Sequence, residues 1–139
     1  MTTEIQWLAM DTPPPLEPDL VHLWRVNLDT SEAVEERCHR VLADDERARA
    51  DRFRASQQLR RFAVTRGSLR HLLSAYLHTN PKQLRFAYGT HGKPYLEFPQ
   101  TDLRFNVSHS GGVALMAFAR ARDLGVDVER TRRDVGWER

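Results

Sequence analysis

What this chain of 139 residues has little of narrows it first. A lone cysteine, Cys38, excludes an intrachain disulfide, and its place on an apolar helical stripe reads as packing rather than as a nucleophile. No apolar run approaches bilayer-spanning length; the longest, residues 113–119, is enough for one strand, so no membrane partner is expected. Residues 1–10 lack the basic start and apolar core of a secretory leader, and the expected compartment is the cytoplasm. Lysine is scarce: of 21 basic residues only Lys82 and Lys93 are not arginine. Arginine grips phosphate with a bidentate fork, which suits phosphate ligands, although a codon-composition bias gives the same excess. The net charge of +2 and a sequence pI near 9.0 permit a nucleic-acid partner. None is expected, because the basic residues alternate with Asp44, Asp45, Glu46 and Asp51 and no aromatic stacking platform accompanies them. What remains, 40% hydrophobic and 29% charged, is ordinary for one globular domain.

Along the chain, residues 11–18 carry four prolines and read as a stiff extended lead-in with no packing of its own. Residues 1–18 are therefore set apart from a domain over 19–130, with 131–139 a polar tail or the start of a further half. Residues 20–28 alternate as a strand. Asp29-Thr30-Ser31-Glu32 then looks like a helix start, and Val34, Cys38, Val41 and Leu42 follow as one buried stripe. A short helix is expected from Asp44 to about Phe53. Ser56 caps the longest helix, to about His78, with Leu59, Phe62, Leu69, Leu73 and Tyr76 facing the core. Arg60, Arg61, Arg66 and Arg70 fall off that stripe, where a solvated face is the default.

After Asn80-Pro81 the period switches to alternation. Strands are expected at residues 84–88, 95–98 and 103–108, with a turn over 89–92. Residues 113–119 are apolar on both faces and read as a central strand covered on both sides; 120–123 then turns the chain into a hairpin partner over 124–129. The fold class is α+β, helices packed on a mainly antiparallel sheet. One long helix covers one face of such a strand, so the other should present an apolar patch to a partner, a second copy or a further half.

The chemistry gathers near the end of this domain. In residues 124–129 alternation puts Leu124, Val126 and Val128 on one face and Gly125, Asp127 and Glu129 on the other. An i, i+2 acid pair is by default a solvated strand face. Beside a side-chain-free Gly125 and the Ser108-His109-Ser110 turn, it also makes a grip for a hard cation such as Mg²⁺. That turn ends an alternating strand (Leu103, Phe105, Val107), so its hydroxyls and imidazole emerge where they can meet an anion. Lys93 sits between Gly92 and Pro94 in a rigid turn that presents its ammonium. The remaining histidines, His22, His39, His71, His78 and His91, show no metal-ligand spacing and read as structural or surface.

Four of these features occur in the order found in one family: an Arg-rich helix pair, Gly92-Lys93-Pro94, Phe105-Asn106-Val107-Ser108-His109-Ser110, and Gly125-Val126-Asp127-Val128-Glu129. From Leu42 to Arg130 the chain resembles the Sfp-type 4′-phosphopantetheinyl transferases, which move phosphopantetheine from coenzyme A onto a serine of an acyl or peptidyl carrier protein. The resemblance implies one half of a pseudo-two-fold fold. It implies Asp127 and Glu129 as Mg²⁺ (or Mn²⁺) ligands and His109 as a catalytic group on the pyrophosphate. It also implies Lys93, Ser108, Arg66 and Arg49 as holders of the adenosine 3′-phosphate end. The family's third motif, Trp-x-x-Lys-Glu, carries its general base and does not occur here; Trp137-Glu138-Arg139 has no Lys-Glu pair. The expectation is a transferase half that is inactive alone and associates with a missing C-terminal half or a homodimer partner. The alternative is a half-length module that binds coenzyme A or a carrier protein without catalysis.

Overall fold

The computed structural model describes residues 6–52 and 56–129. Among these residues five strands, β1 (Val21–Asn27), β2 (Arg85–Tyr88), β3 (Pro94–Phe98), β4 (Leu103–Ser110) and β5 (Val113–Arg120), combine with three α-helices, α1 (Glu32–Arg40), α2 (Asp44–Asp51) and α3 (Gln57–Leu77). The α+β class is as expected. The strands, however, make two sheets: a three-stranded antiparallel sheet in the order β1-β5-β4, and a separate β2-β3 hairpin.

Several helix boundaries have a local cause. Ser31 caps α1 by accepting from the Val34 N–H, and acids fill its first turn while bases fill its last. At α2, Ala43 cannot cap with a side chain, so Glu46 folds back and accepts the Ala43 N–H at 2.8 Å. Ser56 precedes α3 as expected, but its side chain makes no capping bond. The helix closes on His78 in the left-handed conformation (φ 52°), ahead of a 3₁₀ turn over Pro81–Gln83. Gly67 lets α1 cross α3 closely: a Cβ there would sit 2.4 Å from the Cys38 Cβ. Cys38 is buried at that crossing, as expected.

The core lies between α3 and one face of the three-stranded sheet. Cross-strand pairing sets that face in rows: Val26, Ala114 and His109; Trp24, Met116 and Val107; His22, Phe118 and Phe105. Leu69, Leu73 and Tyr76 of α3 pack against it, Tyr76 lying 4.8 Å from Phe118 between ring centres. The Tyr76 hydroxyl accepts from the Trp24 indole at 2.9 Å and lies 2.7 Å from His22 Nδ1, so the buried Tyr76 hydroxyl is satisfied by two half-buried rings.

Four expectations are corrected. Residues 124–129 keep the predicted alternation of half-buried and exposed positions but form no strand and no hairpin with β5. Both edges of β5 are already taken by β1 and β4, leaving no ladder for a third partner. The segment follows β4 instead, tied by side chains: the Val126 N–H donates to Asn106 Oδ1 (2.9 Å) and the Val128 N–H to Ser108 Oγ (3.0 Å). Second, Ser108-His109-Ser110 is not a turn; β4 runs through Ser110 and the chain reverses at Gly111-Gly112, with Gly111 at φ +57°. Third, the lead-in does pack, because Leu16 joins the core and the Pro18 carbonyl accepts from Arg122. Fourth, Arg70 is not on a solvated face; it is 2% exposed.

The sheet face away from α3 is partly covered. Ala117 and Ala119 are buried there and Trp7 stacks 4.9 Å over the Arg25 guanidinium, yet Val21 (52% exposed) and Leu23 (43%) stand open beside Leu20. The open apolar residues therefore belong to the edge strand β1 and the residue before it, whereas β5, whose second face was expected to be uncovered, is buried or half-buried along its length. No helix among the described residues is long and apolar enough to cross a membrane.

Candidate functional site

A cleft of about 1010 Å³ opens between α2, α3, the β2-β3 turn and the end of β4. Four of the nominated residues, Arg49, Arg66, Lys93 and His109, line it although they come from four separate elements. Arg52 and Arg61 line it too, and among the described residues no Asp or Glu does. Such a concave, one-signed surface focuses positive potential on whatever enters. The β2-β3 turn is fixed by two backbone bonds, Gly89 N–H to the Lys93 carbonyl (3.0 Å) and Gly92 N–H to the Gly89 carbonyl (3.1 Å), with Gly92 at φ +72°. Lys93 is therefore presented from a rigid backbone with its side chain exposed. His109 is exposed at the end of β4, on the α3 side of the sheet.

The cations are held differently. Arg49 lies 4.2 Å over the Phe62 ring, whose other close guanidinium is Arg66 at 5.6 Å. Arg61 makes a two-point pair with Asp29, both bonds 2.8 Å, and this pair holds the Asp29 carboxyl below its ordinary value. Arg66 is nearly enclosed: its Nη1 donates to Glu46 Oε2 at 2.5 Å and to the Tyr88 hydroxyl at 2.7 Å. Burial opposes its charge, but the Tyr88 and Glu46 contacts outweigh that and raise its pKa, so it stays a cation.

Ser108, Asp127 and Glu129 lie elsewhere. Alternation along β4 turns Ser108 away from the face that carries His109, and its hydroxyl meets Asp127 Oδ1 at 3.2 Å while accepting the Val128 N–H. Ser108 thus orients the acid-bearing segment and does not line the cleft. Asp127 and Glu129 are both exposed and alternate with half-buried valines, so the pair shares one open side. Among the described residues no group of three or more His, Cys, Asp or Glu gathers as a metal cage. Two carboxylates facing solvent fit Mg²⁺, which takes few protein ligands and keeps water or phosphate oxygens in its other positions. His22, His39 and His71 are engaged with Tyr76, Asp51 and the Arg37 carbonyl, in line with structural roles.

A family model described as the N-terminal part of 4′-phosphopantetheinyl transferases matches residues 29–121, which include all four nominated cleft residues. The chain belongs to the 4′-phosphopantetheinyl transferase family. It is 41% identical over 128 residues to 4′-phosphopantetheinyl transferase HetI of Nostoc, a match covering 91% of this chain and 54% of HetI. Against 4′-phosphopantetheinyl transferase Sfp of Bacillus subtilis it is 27% identical over 103 residues, covering 73% of this chain and 45% of Sfp. The chain thus spans about half the length of the curated relatives it matches. Asp127 and Glu129 fall beyond the stretch matched by the family model. Sequence reasoning missed Arg52, Arg61 and Phe62 as cleft residues, and Glu46 and Tyr88 as the supports of Arg66. Only Glu46 carried a local signal, its place three residues after a helix cap.

Proposed function

We propose that this chain is the coenzyme A-binding half of an enzyme that transfers 4′-phosphopantetheine to a serine of an acyl or peptidyl carrier protein. The observation that carries the reading is the cleft in which Arg49, Arg66, Lys93 and His109 converge with no acid among its described lining residues. Lys93, Arg66 and Arg49 take the adenosine 3′-phosphate, whose dianion suits a rigid ammonium and guanidinium forks. His109, at the strand end, donates to the pyrophosphate. Its neighbour Ser108 holds Asp127, so two adjacent residues of β4 link the phosphate cleft to the carboxylate pair. Asp127 and Glu129 would hold Mg²⁺ or Mn²⁺, which supplies charge neutralisation at the leaving phosphate. The chain's own part is to fix the nucleotide by contacts remote from the reacting phosphorus, so that the carrier serine meets it in line. The proton acceptor for that serine is not among the residues placed in this site. The open patch at Leu20, Val21 and Leu23 is proposed to seat a C-terminal half, in keeping with relatives about twice as long. The reading sets the protein in the cytoplasm, in keeping with its single buried cysteine.

Calorimetric titration with coenzyme A, in Mg²⁺ and in EDTA, tests this. Weak binding that falls further in EDTA is expected. No binding in either condition refutes the reading, and equal binding in both removes the metal role from Asp127 and Glu129.

A further inference from the structure

Three walls of the cleft come from three separate segments: α2 with Arg49, α3 with Arg66, and the β2-β3 hairpin with Lys93. A single buried carboxylate ties them together. Glu46 Oε1 accepts the Ala43 N–H (2.8 Å) and Arg70 Nε (2.7 Å), while Oε2 accepts Arg66 Nη1 (2.5 Å). Arg70 Nη1 donates in turn to the Pro81 and Leu84 carbonyls, at 2.9 and 2.8 Å, in the turn that feeds β2. Arg66 reaches Tyr88 at the far end of the same strand. Glu46 is itself 4% exposed and does not line the cleft.

We propose that Glu46 is the positioning residue of this site: from behind the cleft wall, with Tyr88 bracing the other side, it holds the Arg66 guanidinium in place for the phosphate monoester of the ligand. The inference rests on the coenzyme A reading above. Two observations favour positioning over packing alone. The first is charge. Two guanidiniums share one carboxylate, and Arg70 is further satisfied by two carbonyls. The uncompensated positive charge of this partly dry network therefore falls on Arg66, the member that faces the cleft, and a phosphate dianion satisfies it. The second is order. A free arginine surrenders rotamer freedom when it grips a ligand, whereas one already clamped by Glu46 and Tyr88 has surrendered it on folding.

The test compares coenzyme A with 3′-dephospho-coenzyme A as calorimetric ligands of the whole chain, and its readout is the ratio of their dissociation constants. Partial unfolding weakens both ligands alike and leaves that ratio unchanged. The wild type is expected to prefer coenzyme A, Glu46→Gln to cut the preference roughly tenfold, the size of one charge-assisted hydrogen bond, and Tyr88→Phe to cut it less. Adding Glu46→Gln to Arg66→Ala should change the ratio no further. Tyr88 is half exposed, so Tyr88→Phe decides the matter if Glu46→Gln does not fold. A preference untouched in the folded variants overturns the positioning role and leaves the coenzyme A reading standing. A wild type that binds neither ligand overturns both.

Discussion

Replacing Gly67 with alanine sets two known effects against each other at the α1–α3 crossing. Alanine in mid-helix is favoured over glycine by about 1 kcal/mol, because the backbone loses less freedom on folding. Against that, the new Cβ would lie 2.4 Å from the Cys38 Cβ and 2.6 Å from both its Cα and its carbonyl oxygen. Ordinary contact begins near 3.4 Å, so α1 must retreat by about 1 Å. Two of the three obstacles are backbone atoms that no rotamer change can clear. Overpacking of this kind costs about 1–3 kcal/mol, and the upper part of that range applies when a whole helix must move. The net expectation is a loss of about 2 kcal/mol, which for a domain of this size lowers the melting temperature by roughly 5–10 °C. Thermal melts followed by circular dichroism, with urea unfolding to show an unchanged m-value, measure it. Adding Cys38→Gly removes the Cβ obstacle but leaves the two backbone ones, so it should not restore stability. A Gly67→Ala chain that melts at or above the wild-type temperature would refute the reasoning.

Arg70→Met leaves two buried carbonyls and one side of Glu46 without their donor; urea unfolding should show a loss of about 3–5 kcal/mol, and a loss under about 1 kcal/mol would contradict the assigned network. Burial holds His22, and likewise His71, below the ordinary 6.5. The unfolded chain therefore binds more protons as pH falls, and stability is full above about pH 6.5 and declines below it. Melts at about pH 7.5 and about pH 5.5 should show that fall, with His22→Gln flattening part of it; a midpoint indifferent to pH over that window would disprove the linkage. Asp127→Ala, at an exposed position outside the core, should change stability by no more than about 0.5 kcal/mol and abolish the Mg²⁺-dependent part of coenzyme A binding. Unchanged sensitivity to EDTA in that variant would end the carboxylate's metal role.

The sequence by itself determined the order and type of the elements, because those rest on local physics. Ser31 at a helix start, the prolines at the lead-in and after α3, and the switch from helical to alternating period at Leu84 act within a few residues of themselves. It also pointed to Arg49, Arg66, Lys93 and His109, but on family order; nothing along the chain says that they meet. Only the tertiary structure decided that. The cleft exists because α3 lies across the sheet face bearing His109, and because the β2-β3 hairpin forms a separate sheet rather than extending the first. The strand expected at 124–129 failed for a non-local reason: β1, some ninety residues upstream, had already taken the free edge of β5. Arg70 was misplaced for the same kind of reason. Helical periodicity assigns a charge to solvent, whereas Glu46, 24 residues away, and two carbonyls beyond α3 supply the partners that let it be buried. Periodicity records which face of an element is apolar; which polar groups cross into the core depends on partners that adjacent sequence does not contain.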